Sequence, residues 1–195
     1  MTKGERKQRD ILDVARPFLL SEGYPAFSLR DVAKRAGMSL GNLQYYFPSK
    51  DDLLVFIVQS EIDETLALIE SVDWSEFPPE QTLKALIGAI LYRLGGDGGQ
   101  LYLLTAFLAL HNDRFKKLQR DGFNVLIAAS VEAARNLAPD LAERDLKMAA
   151  LIAVSLVDGA IVQIHARPEE FNAESRGDFA NALTNTLLRY LQAVR

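Results

Sequence analysis

Between Ser39 and Lys50 the chain reads Ser-Leu-Gly-Asn-Leu-Gln-Tyr-Tyr-Phe-Pro-Ser-Lys, a run dense in groups that can hydrogen-bond a duplex. Asn42 and Gln44 carry amides able to pair bidentately with adenine. Tyr45 and Tyr46 carry phenols that donate to phosphate oxygens. Gly41 allows close backbone approach, and Lys50 places a cation at the start of a following helix, where anions are favoured. At about 100° per residue, Leu43 and Phe47 fall together, while Gly41, Asn42 and Tyr45 face the other way with Gln44 and Tyr46 on the flanks. Apolar on one side and hydrogen-bonding on the other is what a helix pressed into a major groove needs. With Ser28, Arg30, Ser39 and Leu40, these residues form the candidate DNA-contacting set.

Holding that face in place takes two short helices and a tight turn. Ser28 is an N-cap candidate, and Asp31 three residues on completes an [ST]-x-x-[DE] box. Leu29, Val32, Ala33 and Ala36 then share one helical face. Gly37 supplies a stop that can take positive φ. Ser39 caps the second helix, and Pro48 ends it near Phe47 by disfavouring helical geometry in the residue before it. Helix, glycine turn and short polar-faced helix make the helix-turn-helix pattern. Lys3, Arg6, Lys7 and Arg9 are candidates for an arm that follows a phosphate strand or enters the minor groove.

The run Leu29-Arg30-Asp31-Val32-Ala33-Lys34-Arg35-Ala36-Gly37-Met38-Ser39, followed by Gly41, Leu43, Tyr46, Phe47, Lys50, Leu53 and Leu54, resembles the DNA-binding domain of the TetR family of bacterial transcriptional regulators. The Glu22-Gly23-Tyr24 corner and Phe27 fit the same pattern. The close resemblance covers roughly residues 9–55; beyond it the chain is similar only in length and helical character. Gln44 stands where the family often carries an aromatic residue. Pro17 lies inside the first predicted helix, where it removes the bond to the Asp13 carbonyl and predicts a kink or a restart.

Charge divides the chain unevenly. Residues 1–50 hold nine Lys and Arg against five Asp and Glu; residues 51–195 hold thirteen against twenty-one. That is a small basic head on an acidic body. The expected division is a helix-turn-helix domain over 1–50 and an effector-binding and dimerisation domain over 51–195. No run of about 18 apolar residues predicts a membrane span, and the N-terminus lacks the apolar core of a signal peptide. The absence of cysteine fits a reducing compartment. The expected location is cytoplasmic.

The whole chain reads as helix, so the expected class is all-α with about nine helices: three in the head, the rest in the body. The boundaries fall near 4–21, 28–36, 39–47, 50–71, 79–94, 100–111, 113–136, 141–165 and 174–193. The fourth helix carries the stripe Leu54, Val58, Ile62, Leu66 and Ile69 and joins head to body without a flexible linker. Pro78-Pro79 opens the fifth. Gly95-Gly96-Asp97-Gly98-Gly99 reads as a flexible connector, since neither the strand nor the lysine of a phosphate-cradling loop accompanies it.

Little in the body points to catalysis. His111 and His165 lack partners at metal-ligand spacing, and no nucleophile elbow, zinc-protease or nucleotide-binding motif occurs. No catalytic residue, metal or cofactor is expected, and the chain does not read as an enzyme. Phe56, Trp74, Phe77, Tyr92, Tyr102, Phe107, Phe115 and Phe123 read first as core. His111, Asp158 and Gln163 stand out as polar residues on apolar segments. Asp158, inside Ile152-Ala153-Val154-Ser155-Leu156-Val157-Asp158-Gly159-Ala160-Ile161-Val162, needs a partner or a shifted pKa. Three places are open to it: pairing across a dimer, contact with His111 or Arg93, or the wall of a ligand cavity. Phe56, Trp74, Phe107, His111, Asp158 and Gln163 form the candidate effector-binding set.

The eighth helix is apolar around much of its circumference, so it must be buried on more than one side. It is either a central core helix or a helix shared with a second copy. The resemblance implies the latter, through a four-helix bundle of the last two helices. The candidate dimer set is Ala149, Ala153, Leu156, Ala160, Phe179, Leu183, Leu187 and Tyr190. The resemblance also implies a homodimeric, ligand-responsive regulator that occludes a pseudo-palindromic double-stranded operator until an unidentified small molecule releases it. The alternatives are a related activator or effector-independent DNA binder and, from another class, an all-α enzyme or adaptor reusing the head. No membrane partner is expected.

Overall fold

The computed structural model describes residues 2–70 and 77–195, and the side chains of all of these except 68–70. Among the described residues the regular structure is nine α-helices and no strand: α1 (Lys3–Ala26), α2 (Leu29–Arg35), α3 (Leu40–Tyr46), α4 (Lys50–Glu70), α5 (Pro79–Leu94), α6 (Asp97–Ala109), α7 (Asp113–Leu137), α8 (Glu143–Ala166) and α9 (Ala173–Ala193). The all-α expectation and the element order hold.

The ends of these helices are where local chemistry puts them. Thr2 and Glu5 form a reciprocal capping box that starts α1 at Lys3. Lys3, Arg6, Lys7 and Arg9 therefore ride on helical turns rather than on an extended arm. α1 passes through Pro17 without a restart, and the non-helical dihedrals inside it are at Gly23, with φ 78° and ψ 165°. The expected break thus sits six residues later, at a glycine that can take positive φ.

The head packs around Ile11, Ala15, Phe18 and Leu19 of α1, Phe27, Val32 and Ala33, and Leu43 and Phe47 from α3 and its end. The same core continues through Leu53, Leu54 and Ile57 of α4 into Leu101 and Leu108 of α6 and Phe115 of α7. Apolar packing therefore crosses residue 50, and the head is not a bead on a string. A second core joins Ile87 and Leu91 of α5, Val157 and Ile161 of α8, and Leu183 and Leu187 of α9. A third joins Val131 and Ala134 of α7 to Leu146 and Ala150 of α8 and Leu191 of α9.

The glycine run is not a flexible connector. Gly95 caps α5, Gly96 caps α6, and Gly98 and Gly99 are buried in the first turn of α6. A Cβ on Gly99 would stand 1.8 Å from the Leu94 carbonyl oxygen and 2.1 Å from His165 Nε2. Glycine is required there by crowding, as α5, α6 and α8 converge. His165 Nε2 itself lies 2.8 Å from the Leu94 carbonyl oxygen.

Candidate functional site

The helix-turn-helix is built by three small devices. Ser28 Oγ accepts the Asp31 N–H at 3.2 Å, and the Asp31 carboxylate takes the Ser28 hydroxyl proton. At the other end of α2, Met38 N–H reaches the Ala33 carbonyl at 3.0 Å and Gly37 N–H the Lys34 carbonyl at 3.3 Å. With Gly37 at φ 64°, that is a Schellman ending. Ser39 Oγ then accepts the Asn42 N–H at 3.2 Å and starts α3.

The faces of α3 divide as their spacing predicts. Leu43 and Phe47 are buried, while Gly41, Asn42, Gln44 and Tyr45 are exposed and Tyr46 is half-buried against the head core. Tyr45 is 82% exposed and meets the Tyr46 ring edge-on at 5.1 Å. Arg30 is exposed too, and Leu40 is half-buried. Lys50 differs from its neighbours: its ammonium donates to the Tyr24 carbonyl at 2.8 Å and lies 4.0 Å from the centre of the Tyr24 ring. Burial pulls its pKa below the ordinary lysine value, against the pull of Asp51. Reciprocal bonds between Ser49 and Asp52 start α4 beside it. Arg114 of α7 donates to Asp52 at 2.7 Å and Asn112 to Asp51 at 2.9 Å, so the start of α4 is tied to the body.

Behind the head lies a cavity of about 170 Å³ between α4, α5, α6, α7 and α8. Its wall is mainly aliphatic, with Phe123 and Tyr102 meeting edge-on at 6.4 Å between ring centres. Asp158 lines it and accepts the Tyr102 hydroxyl at 2.7 Å. Burial pushes the Asp158 carboxyl above the usual aspartate range, and the Tyr102 bond only partly offsets that. Burial, the Asp158 bond and the Asp158 charge all push the Tyr102 phenol up. Of the three places open to Asp158, the structure takes the cavity wall.

A second polar cluster reaches the same cavity from the head side. Glu61 of α4, 5% exposed, lines the cavity and pairs with Arg16 of α1 and, at 2.8 Å, with Arg93 of α5. Both arginines also bond Glu64, at 3.0 and 2.9 Å, and Arg93 Nε donates to Thr65 Oγ1 at 2.8 Å. Burial drives the Glu61 carboxyl up against the pull of Arg16 and Arg93. Burial works the same way on Glu64, but there the hydrogen bonds from Arg16 and Arg93 win and hold it low. One buried carboxylate thus touches the cavity, the head and α5.

The same head is found in known regulators. Residues 11–56 match the model of the bacterial regulatory proteins of the tetR family. A relative described as an uncharacterized HTH-type transcriptional regulator in the dhlA 5' region of Xanthobacter autotrophicus is 29% identical over 97% of this chain and 93% of its own. The HTH-type transcriptional repressor KstR of Mycolicibacterium smegmatis is 35% identical, over 44% of this chain and 42% of its own. A transcriptional regulator from Rhodococcus sp. RHA1 superposes with a TM-score of 0.80 at 21% identity, over 96% of this chain and 97% of that one. The family match spans the helix-turn-helix head, and over its whole length the chain shares the fold of these regulators. These relatives are described as transcriptional regulators.

The remaining candidate residues of this chain scatter. Of the effector set, Asp158 alone lines the cavity among the described residues, and Trp74 lies outside them. Phe56 packs on Phe47 at 5.1 Å in the head core. Phe107, 55% exposed, stacks edge-on with exposed His111 on the outer surface of α6. Gln163 is exposed and accepts from Arg167. Those four lie away from the cavity: helical spacing showed an apolar stripe but not which neighbour it met. Tyr102, Phe123 and Glu61 were missed as cavity residues. The one legible signal was Glu61 itself, an acid set among the stripe residues Val58 and Ile62.

Most of the candidate dimer set packs within the protomer. Ala149, Ala160, Leu183 and Leu187 are buried in the protomer's own cores, and Leu156, Phe179 and Tyr190 pack against them. Ala153 lines the cavity. The outward stripe of α8 is Met148, Leu151, Ser155, Gly159 and Val162, spaced three, four, four and three. Met148, Leu151 and Val162 are each 46% exposed, and a Cβ on Gly159 would meet nothing within 4 Å. α8 has the length and hydropathy of a membrane span by composition alone, and in this fold it packs between α7 and α9. Its all-round apolarity therefore has two origins, one face in the protomer and one facing out.

Proposed function

We propose that this chain is a regulator of the TetR family, a cytoplasmic homodimeric repressor whose operator affinity is set by a small molecule held in the α4–α8 cavity. The observation that carries the reading is Glu61, which lines the cavity and pairs with Arg16 of the head and Arg93 of α5. A molecule entering beside Glu61 competes with or displaces α4, and α1 moves with it through Arg16. The duplex repeat is fixed, so a change in the separation of two recognition helices spoils one half-site or the other. The exposed face of α3, with Asn42, Gln44 and Tyr45, reads bases, and Arg30, Tyr46 and Lys50 hold phosphates. Lys50 serves in this way by sharing its remaining protons or by leaving the Tyr24 carbonyl. The second copy covers the outward stripe of α8, an apolar face too long for a solvated monomer surface. Repressors such as KstR among the similar proteins support the sign of regulation.

The test starts from a random duplex pool. Enriched sites are expected to be pseudo-palindromic with half-site centres about 34 Å or a multiple apart. Placed across a promoter, such a site should lower reporter output when the protein is expressed. Enrichment of single half-sites would remove the dimer from the reading, and a rise in output would make the protein an activator.

A further inference from the structure

The cavity has a chemical polarity that points to its occupant. Two acids line it, Glu61 and Asp158, and among the described lining residues none is Lys, Arg or His. Glu61 is already neutralised by Arg16 and Arg93. Asp158 is not: Tyr102 donates to Oδ1, and among the described residues no group donates to Oδ2. The carboxylate is thus aimed into an apolar chamber with half its acceptor capacity unused. Desolvation at that position is costly without a counter-charge, and the described residues supply none. The rings of Tyr102 and Phe123 stand on the same wall, and aromatic faces favour a cation.

We propose that the effector is a compact organic amine, bound as its ammonium against Asp158 with its apolar body among the aliphatic walls. This deepens the effector reading above and rests on the cavity being that site. Size sets a scale for the body: an apolar cavity of about 150 Å³ takes benzene, so this partly open one, at about 170 Å³, has room for a ring with a short arm. The ammonium donates to Asp158 Oδ2 and leaves the Tyr102 bond in place. An amine supplies the counter-charge the fold lacks, an alcohol of the same shape supplies only a proton donor, and a carboxylate brings a second negative charge.

The experiment is calorimetric titration of the full-length protein, without DNA, with 2-phenylethylamine, 2-phenylethanol and phenylacetate. The expected order of affinity is amine, then alcohol, with no measurable binding of phenylacetate. This ranking needs no variant. Asp158→Asn, checked for folding by its thermal transition, should lower amine affinity at least roughly tenfold, about 1.4 kcal/mol, and leave the alcohol nearly unchanged. Tyr102→Phe should retain the amine. Phenylacetate binding as tightly as the amine, failure of the amine to bind, or full amine affinity in Asp158→Asn each overturns the assignment. Operator affinity is measured separately with and without the amine. Amine binding that depends on Asp158 but leaves operator affinity unchanged would refute the release reading and keep the ligand class.

Discussion

At the scale of single residues, the outer face of α3 and the buried acid of α8 make separable predictions. Asn42→Ala and Gln44→Ala remove exposed amides that touch nothing in the protomer core, so stability should hold while base preference relaxes by about 1–3 kcal/mol per lost bidentate contact. The measurement is affinity for the enriched site against single-base variants; an unchanged preference would put the reading surface elsewhere. Gly37→Ala forces a side chain into φ 64°, and strain of about 1–2 kcal/mol should lower the thermal midpoint by several degrees, roughly 2–8. Asp158 makes a pH prediction. Its folded carboxyl takes up a proton at higher pH than the unfolded chain does. The folded state then binds more protons in that window, so stability rises as pH falls through the raised value. Asp158→Asn should be more stable than the parent at neutral pH without ligand, and melting curves at descending pH should show the difference shrink.

At the scale of elements, α6 and α8 carry the tests. Gly99 lies where α5, α6 and α8 meet, with the Leu94 carbonyl 1.8 Å from any added Cβ. Backbone cannot yield as a flexible side chain can, so Gly99→Ala should cost at least about 1–3 kcal/mol, read from denaturant unfolding. α8 separates assembly from folding. A charge at Leu187 would unfold the protomer, since that side chain is 3% exposed in its own core. A charge at Leu151 leaves the core alone, because Leu151 is 46% exposed. Leu151→Glu should therefore melt normally, sediment as a monomer and lose operator binding. A parent protein that is itself monomeric at micromolar concentration would end the dimer proposal.

At the scale of the whole molecule, the proposal is that a cavity inside the body governs a face on the head. No flexible linker separates them: one core runs from α1 through α4 into α6 and α7, and Arg114 and Asn112 pin α7 to the first turn of α4. A shift of α4 is therefore felt at Lys50 and at α3. Glu61→Gln weakens charge-assisted bonds to Arg16 and Arg93 and should cost about 1–3 kcal/mol of stability. It should also reduce any effector-dependent change in operator affinity while sparing operator binding itself. Coupling of about 1–3 kcal/mol would lower operator affinity roughly 5- to 150-fold, and operator DNA must weaken the effector by the same factor. Equal effector affinities with and without operator would rule out release through α4. The charge division, basic over 1–50 and acidic beyond, makes duplex affinity fall steeply with salt.

The helix-turn-helix was legible in the amino-acid sequence because every device that builds it is local. Ser28 and Ser39 reach only three residues along the chain, Gly37 needs only its own φ, and the division of Leu43 and Phe47 from Asn42 and Tyr45 follows from 3.6 residues per turn. Helix boundaries in the body were legible for the same reason. The cavity was not, because Asp158 and Tyr102 are 56 residues apart and Arg16 and Glu61 are 45 apart, and no periodicity records which helices meet. Periodicity showed that α8 is apolar nearly all round, but not which arc faces its own chain. Only the packing of α5, α7 and α9 on α8 decided that Ala149 and Ala160 point inward and Leu151 and Val162 outward. Helical identity is written in contacts within one turn; pockets and interfaces are written in the angles between helices, which depend on side chains distant in sequence.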